Sequence, residues 1–333
     1  MNTPRTALFT RLLEPGSAAD RYRYALEQIQ LAERLGFAGA WVAQHHFHEA
    51  EGGLPSPFVL LAAAAASTST IRLGTGIITL PHEDPVRVAE DAVVLDAISG
   101  GRVELGVGSG GTPATFWAFD VDPADRREVF GSKFDALLGA LRGDELGHPE
   151  NHLYPGGEAI AQRIWQATFS PQGAALAGAR GDGLMLSRTQ PRHVDHPRAT
   201  LSEIQTPVVE AYQEALPEGA PRRVLASRTV VVLDEEHRTP VIEAAEDGLR
   251  RLAAGFLRLD VSGLGLDDLL AITDTVVGTA DEVIAKLRTD VVAGRASEVA
   301  IQMHSVDPGH ELTLRSLELF ATRVAPELGW AQS

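Results

Sequence analysis

The strongest constraint in this sequence is a regular alternation of short β-branched runs with longer amphipathic stretches, from one end of the chain to the other. Strands and helices in this order are typical of βα units around a parallel sheet. A closed (β/α)8 TIM barrel is therefore favoured, and an open, doubly wound sheet is the alternative. The eight strands are predicted near residues 5–10, 38–43, 71–79, 102–107, 163–168, 182–187, 224–232 and 298–303.

Three of the intervening helices carry their own start or stop signals. Apolar residues at helical spacing precede Gly36, which is a typical C-terminal stop. A second helix is predicted to start at the N-cap Asp84 and to end near Gly100. A third starts at the capping box Thr279–Glu282 and is predicted to continue to about residue 292.

Two segments are too long to be simple βα turns. Residues 143–160 and 255–276 are rich in glycine, proline and acidic residues, which favours irregular structure. No linker interrupts the strand and helix pattern elsewhere. We therefore expect one barrel domain over residues 1–333, with these two segments as excursions.

Composition narrows the classes of function. The chain has 333 residues with 29 basic and 45 acidic ones, a net charge of −16 that repels nucleic acids and anionic membranes. Cysteine is absent, which excludes thiolate catalysis and iron–sulfur ligation. The longest apolar run, Phe58–Ala66, is too short to cross a bilayer, and the N-terminus lacks an apolar signal segment. We expect a cytoplasmic enzyme that acts on a small molecule.

The densest cluster of reactive side chains is Gln44–Glu49, which follows a predicted strand and contains three histidines. His46 and His48 could bind a metal, although later strands end in small or hydroxyl residues that offer few further ligands. One histidine could instead act as an acid or base beside an organic cofactor. Loop histidines bonded only to backbone are the third interpretation.

Two further strand ends suggest a binding site. The turn Gly106–Gly111 fits a dinucleotide fingerprint, but no helix follows at once, and a glycine-lined turn beside a flat group is equally consistent. The loops at Ser170–Gly173 and Ser187–Arg188 offer hydroxyls, a helix N-terminus and a guanidinium, as a phosphate monoester requires. Ordinary helix capping and a solvated arginine are the alternative.

Four segments, taken together, resemble the bacterial luciferase-like flavin-dependent monooxygenase family in order and spacing. They are Gly36–Phe47, Arg72–Pro81, Pro85–Asp91 and Ser99–Gly110. The resemblance implies a (β/α)8 barrel that binds reduced FMN and reacts it with O2 to a flavin C4a-hydroperoxide. One oxygen atom then passes to a small organic substrate, typically an aldehyde. The family also implies a homodimer, and a separate flavin reductase fits the lack of a convincing nicotinamide fingerprint.

The resemblance also implies roles for individual residues. His45 matches the catalytic histidine that transfers protons beside the flavin, and the Gly76–Ile77 bond matches a cis peptide behind the isoalloxazine ring. Ser170 and the Gly173 amide match phosphate contacts. The cofactor-binding positions expected from both lines of reasoning are Gly76, Ile77, Gly108, Ser109, Ser170, Gly173, Ser187 and Arg188.

The chain departs from the luciferase pattern at several positions. Gly108 and Ser109 stand where the pattern has cysteine and arginine, so Arg188 is expected to replace the missing phosphate partner. Phe169 replaces an acidic residue, and Gln44 replaces a glutamate. These differences bear on light emission and long-chain aldehyde oxidation more than on flavin binding. The alternatives are an F420-dependent hydride-transfer oxidoreductase on the same barrel and a non-catalytic flavin-binding protein.

Overall fold

The strands close into a parallel barrel in the computed structural model, which describes residues 3–193 and 195–331. The barrel order is β1-β2-β3-β5-β6-β7-β8-β10, and β10 pairs with both β8 and β1. This closure confirms the (β/α)8 barrel and rules out the open sheet, because an open sheet would end in unpaired strands. The strands are β1 (Arg5–Thr10), β2 (Gly39–Val42), β3 (Arg72–Thr75), β4 (Ile78–Thr79), β5 (Val103–Gly108), β6 (Ile164–Ala167), β7 (Gly183–Leu186), β8 (Val224–Val232), β9 (Val276–Gly278) and β10 (Glu298–Gln302).

Two strands differ from the prediction. The continuous strand predicted over 71–79 is wrong, because the chain breaks at a cis peptide between Gly76 and Ile77 and resumes as β4 beside β5. In addition, β9 pairs with the last three residues of β8. The segment 255–276 therefore includes a helix and reaches the start of a strand, which its loop-like composition did not indicate.

Helices cover the outside of the barrel. The N-cap Asp84 accepts hydrogen bonds from the amides of Val86 and Arg87, as the sequence predicts, and Gly100 ends that helix with a left-handed φ of 71°. The helices are α1 (Ala18–Arg34), α2 (Pro57–Ser67), α3 (Pro85–Ser99), α4 (Pro113–Phe116), α5 (Arg126–Leu141), α6 (Glu158–Ala161), α7 (Pro171–Arg180), α8 (Leu201–Ala215), α9 (Glu235–Ala244), α10 (Glu246–Arg251), α11 (Leu266–Ile272), α12 (Ala280–Leu287), α13 (Val291–Arg295), α14 (His310–Leu319) and α15 (Ala325–Glu327).

The last predicted helix is shorter than expected. The capping box forms, with the Thr279 amide donating to Glu282 Oε2 at 2.9 Å, but α12 ends at Leu287. Asp290 then caps the separate helix α13 by accepting from the Ala293 amide at 2.9 Å. Across residues 3–193 and 195–331, no helix has both the length and the apolar character needed to cross a membrane.

The N-terminal end of the barrel is filled by a buried ionic network. Arg72 donates to Glu104 Oε1 at 3.0 Å and also to Glu298 Oε2. Each carboxylate accepts a second bond from an indole Nε1, Glu298 from Trp41 and Glu104 from Trp165, both at 2.6 Å. Because each buried carboxylate has a cationic and a neutral donor, the cost of removing these charges from water is offset inside the barrel.

The two indoles pack edge to face above this network, with their ring centroids 5.6 Å apart. Each lies against a glycine of the next strand. A Cβ at Gly74 would lie 2.2 Å from the Trp41 ring, and one at Gly183 would lie 2.3 Å from the Trp165 ring. Glycine at both positions therefore makes room for the layer that supports the C-terminal half of the barrel.

Arg72→Met is expected to lower the free energy of unfolding by about 3–5 kcal/mol, because two buried carboxylates lose their shared cation. Urea titration followed by circular dichroism measures this change. Arg23→Met is the control, since the exposed Arg23 pairs with surface carboxylates and should change stability by less than about 1 kcal/mol. Equal effects of the two substitutions would contradict the assigned role of the network.

Candidate active site at the C-terminal mouth of the barrel

An apolar surface closes the barrel interior just below the C-terminal ends of the strands. It consists of Phe9, Ile77 and Ala167, which are half-buried and pack on the core cluster that contains the two indoles. Inward-facing residues of alternate strands form such layers in TIM barrels. We call these three residues the apolar floor.

Glycines make the apolar floor smooth. A Cβ at Gly76 would lie 2.6 Å from Phe9 Cε2, and a Cβ at Gly108 would lie 2.8 Å from Ile77 Cδ1. The cis peptide between Gly76 and Ile77 is the one that the resemblance implies. The structure thus brings Gly76, Ile77 and Gly108 together on one surface. A flat apolar ring has room to lie against such a surface.

His45 stands at the rim, beyond the end of β2, and is half-buried. Its Nδ1 lies 3.7 Å from Glu51 Oε2, and its ring packs on Gly52, where a Cβ would lie 2.8 Å from the imidazole. Burial lowers the pKa of His45, although Glu51 partly opposes this shift. A neutral imidazole at pH 7 is therefore expected, which can accept or donate a proton.

Glu51 connects three strand ends. Its carboxylate accepts from Thr112 Oγ1 at 2.7 Å, and its backbone carbonyl accepts from Nε of Arg11 at 3.1 Å. The interaction with His45 and the bond from Thr112 lower the pKa of Glu51 to about 2. Sequence reasoning missed Glu51, because this contact depends on how the loop after β2 folds back over β1.

The side chains of His46 and His48, the pair considered as metal ligands, lie in different environments. His46 packs edge-on against His82 and Phe119, with centroid distances of 5.6 and 5.0 Å, whereas His48 is exposed. Within residues 3–193 and 195–331, no three histidine, aspartate or glutamate side chains are grouped to hold a metal ion.

His82 occupies an aromatic box. Its ring stacks on Phe119 at 4.6 Å and meets Phe116 edge-on at 4.4 Å. Both ring nitrogens are buried without a hydrogen-bond partner. Burial, with smaller contributions from the neighbouring His46 and Lys133, lowers the pKa of His82 to about 4. The box joins the loop after β4 to the one after β5.

The rim after β6 contains the predicted phosphate residues. Ser170 is the N-cap of α7 and accepts from the Gly173 amide at 3.1 Å, and both residues are accessible. Thr168 Oγ1 accepts from the Ser170 amide at 3.2 Å and fills the space beside Gly173, where a Cβ would lie 2.3 Å from that oxygen. An exposed N-terminus of a ten-residue helix with two hydroxyls is suited to a phosphate.

Ser109 and Ser187 lie half-buried after β5 and β7, the strands on either side of β6. Ser187 Oγ accepts from the Thr189 amide at 3.3 Å, so its hydroxyl already supports its own loop. Gln190 donates to the Phe169 carbonyl at 2.8 Å and ties the loop after β7 to the loop after β6. These contacts bring Ser187 to the same rim as Ser170.

Arg188 is oriented differently from the other predicted phosphate residues. It is only 4% exposed, and its Nη1 donates to Thr229 Oγ1 on β8 at 3.4 Å. In the described parts of the chain, no hydrogen bond joins it to Ser170, Gly173 or Ser187. The guanidinium thus leans away from β6. No contact tests the phosphate role that the sequence predicts for Arg188, and this orientation favours a different anion as its partner.

Gln44, which replaces a glutamate of the luciferase pattern, serves as a structural bridge. Its Oε1 accepts from the Thr79 amide and its Nε2 donates to Glu83, both at 2.7 Å. The amide can make both bonds because it carries a donor and an acceptor, whereas an ionised carboxylate only accepts. Gln44 therefore holds the rim after β2 against the rim after β4.

Comparison with known proteins identifies the family. Residues 6–297 match the model of the luciferase-like monooxygenases. The chain belongs to the luciferase-like monooxygenase family. It is 29% identical over 326 residues to 4-hydroxyprotoasukamycin monooxygenase of Streptomyces nodosus subsp. asukaensis, covering 90% of this chain and 85% of that protein.

Solved structures agree with this assignment. Monooxygenase RslO1 of Streptomyces bottropensis superposes with a TM-score of 0.77 at 27% identity, covering 97% of this chain and 99% of that one. Two more distant structures share the fold alone. One is a type II Baeyer–Villiger monooxygenase of Pseudomonas putida in complex with FMN, with a TM-score of 0.76 and 20% identity. The match covers 97% of this luciferase-like chain and 98% of that protein's chain. The other is an F420-dependent secondary alcohol dehydrogenase, with a TM-score of 0.72 and 18% identity. The match covers 98% of this chain and 99% of that one.

Glu51→Gln is expected to lower the pKa of His45 further, because it removes the negative charge that favours the imidazolium. An NMR titration of the imidazole measures this pKa. Glu49→Gln is the matched control: Glu49 is exposed and pairs with Arg21 at 3.0 Å. An unchanged or higher His45 pKa in Glu51→Gln would show that the two groups do not interact.

His82→Phe is expected to reduce the loss of stability in acid. Folded His82 titrates at about 4 and the unfolded chain near 6.5, so the unfolded state binds more protons between these values and stability falls as pH falls. Phenylalanine cannot take up a proton on unfolding, and it leaves no unpartnered nitrogen in the aromatic box. Urea titrations at pH 7 and pH 4.5 test this, with the exposed His193→Phe as control. The same acid loss in His82→Phe and wild type would contradict it.

Proposed function

We propose that this protein is a flavin-dependent monooxygenase that uses reduced FMN and O2 to oxygenate a small organic substrate, with an aldehyde as one candidate class. The observation that carries the proposal is the apolar floor, flanked by His45 on one side and by the N-terminus of α7 on the other. The same mouth of the barrel then offers a surface for a flat ring, a histidine that can transfer a proton, and a site for a phosphate.

The donor set fits a phosphorylated ring. Ser170, Thr168 and the first turn of α7 offer hydroxyls and a positive helix end to a phosphate dianion. Ser109 and Ser187 extend this set along the rim. The apolar floor beside them offers no charged group, which suits a planar aromatic system rather than a sugar.

When bound, reduced FMN supplies the electrons and the oxygen-activating chemistry that protein side chains lack. The chain itself positions the ring against Phe9, Ile77 and Ala167 and shields one face from water. The packed loops around Gln44 and His82 close the wall on the β2 and β4 side.

His45 is proposed to hold and move a proton at the reacting centre. Because Glu51 lies beside Nδ1, it favours the tautomer with the proton on that nitrogen. In the described part of the chain, Nε2 makes no hydrogen bond and is free to accept or return a proton. Glu51 acts as the positioning residue, because Thr112 and Arg11 hold its position.

A separate reductase would deliver the reduced flavin, and a homodimer is proposed from the family resemblance. F420-dependent hydride transfer and non-catalytic flavin binding are the competing functions. They differ in which cofactor binds and whether O2 is consumed.

Anaerobic titration with reduced FMN and with reduced F420, followed by fluorescence, tests the proposal. We expect FMN to bind and F420 not to bind. Ser170→Ala should weaken FMN by about tenfold, because a hydrogen bond to a charged group is lost, and should change riboflavin binding by less than about twofold. Ser67→Ala, at the opposite end of the barrel, is the control.

Tight binding of F420 with no response to FMN would overturn the proposal in favour of hydride transfer. Equal losses for FMN and riboflavin in Ser170→Ala would remove the phosphate assignment of that loop.

A further inference from the structure

The mouth contains a second concentration of positive charge that the proposed phosphate site does not use. Arg188 lies on the loop after β7, Arg11 directly after β1, and His304 and Asp307 after β10. Arg188 reaches the β10 end of the cluster through Thr229, whose hydroxyl donates to the His304 carbonyl at 2.7 Å. Arg11 is close enough to lower the pKa of Arg188, and Asp307 interacts with both guanidiniums. We call these four residues the arginine cluster.

Arg188 is the least satisfied member. It is 4% exposed, and across residues 3–193 and 195–331 it forms one long hydrogen bond, to Thr229 Oγ1 at 3.4 Å, and no ion pair. A buried guanidinium carries five N–H donors and ordinarily has a carboxylate or several carbonyls as partners. Burial, together with the nearby Arg11, lowers the pKa of Arg188 to about 9. An anion at this position would satisfy the remaining donors.

Arg11 also has an N–H group without a partner. Its Nε and Nη2 both donate to the Glu51 carbonyl, which leaves Nη1 without a hydrogen-bond partner in the described chain. Arg11 is half-buried and is therefore more accessible than Arg188. The single carboxylate of the cluster, Asp307, is already bonded to His304 Nδ1 at 2.8 Å. Asp307 is thus the carboxylate that both guanidiniums share, and the Glu51 carboxylate is a second counter-charge for Arg11 alone.

Most of the cluster lies away from the phosphate site, although Arg188 directly follows Ser187 in the chain. Around the barrel, β1 lies four strands from β6, which places Arg11 across the mouth from Ser170 and α7. The Arg188 guanidinium leans from β7 towards β8 and away from β6. The same cluster is adjacent to His45 through Glu51, since Arg11 binds the Glu51 carbonyl and the Glu51 carboxylate lies beside the imidazole.

We propose that Arg188 and Arg11 bind a carboxylate of the organic substrate, so that the enzyme selects an anionic small molecule and holds its charged end opposite the flavin phosphate. The inference rests on the proposed function, because it assigns the anion to the substrate rather than to the cofactor. A planar carboxylate matches the bidentate geometry of a guanidinium. Its binding would place the uncharged end of the substrate towards His45 and the apolar floor.

The test uses matched acids and amides as probes on the full chain with FMN present. Benzoate is compared with benzamide, and octanoate with octanamide, by thermal shift and by competition titration. We expect each acid to bind wild type at least about tenfold more tightly than its amide. Arg188→Met should remove this preference, and Arg188→Lys should retain part of it because the charge remains. Arg142→Met, at the C-terminal end of α5 on the opposite face of the barrel, is the control for loss of charge.

Three results would overturn the inference. Equal binding of acids and amides to wild type would do so without any variant. A loss of at least tenfold in FMN affinity in Arg188→Met, with riboflavin unchanged, would assign the arginine to the cofactor phosphate. If Arg188→Met lost affinity for reduced FMN and kept its affinity for oxidised FMN, Arg188 would be assigned to the negative charge of the reduced ring. Failure of wild type to bind FMN at all would refute the proposed function separately, and acid selectivity is measurable in that case as well.

Discussion

The interior of this barrel depends on one shared cation. The half-buried Arg72 pairs with the buried Glu104 and Glu298, and each carboxylate also binds an indole nitrogen. Glu104 comes from β5, which is adjacent to the Arg72 strand β3, whereas Glu298 comes from β10, which β1 and β2 separate from β3. Because each charge needs the others, the network couples the packing of distant strands.

This network determines what can lie above it. The indoles of Trp41 and Trp165 rest on the carboxylates, and Phe9, Ile77 and Ala167 pack on the indoles. The C-terminal mouth therefore has a solid apolar floor rather than an open channel, and polar groups appear only at the rim. A binding site for a flat ring with a charged tail follows from this order of layers.

The rim is divided by function around its circumference. The β6 side offers a helix N-terminus and hydroxyls, the β2 side an imidazole supported by Glu51, and the β7 to β1 side two guanidiniums. In the proposed function, this division would let a cofactor and a substrate be held by different charges, with His45 between them as the proposed proton-transferring group. The histidines that are not part of this arrangement, His46 and His82, pack in an aromatic box and stabilise the loops.

Much of the fold could be predicted from local patterns. The positions of the barrel strands and the caps at Asp84 and Thr279 depend on periodicity and short-range hydrogen bonds, which a single sequence shows directly. The break at Gly76–Ile77 was foreseen from resemblance and not from periodicity, which predicted one continuous strand.

The contacts between distant segments could not be predicted. Glu51 meets Arg11 and Thr112, and Arg188 meets Thr229, because the barrel brings separate strand ends together. Nothing in the local sequence of Arg188 shows that its guanidinium turns towards β8 rather than β6.

A crystal structure of the protein with FMN bound tests the central claim most directly. We expect the ring to lie on Phe9, Ile77 and Ala167 beside His45, with its phosphate at Ser170 and the Gly173 amide and with Arg188 making no contact to that phosphate. A ring bound outside the barrel mouth, or a phosphate bound by Arg188 and Arg11, would contradict it.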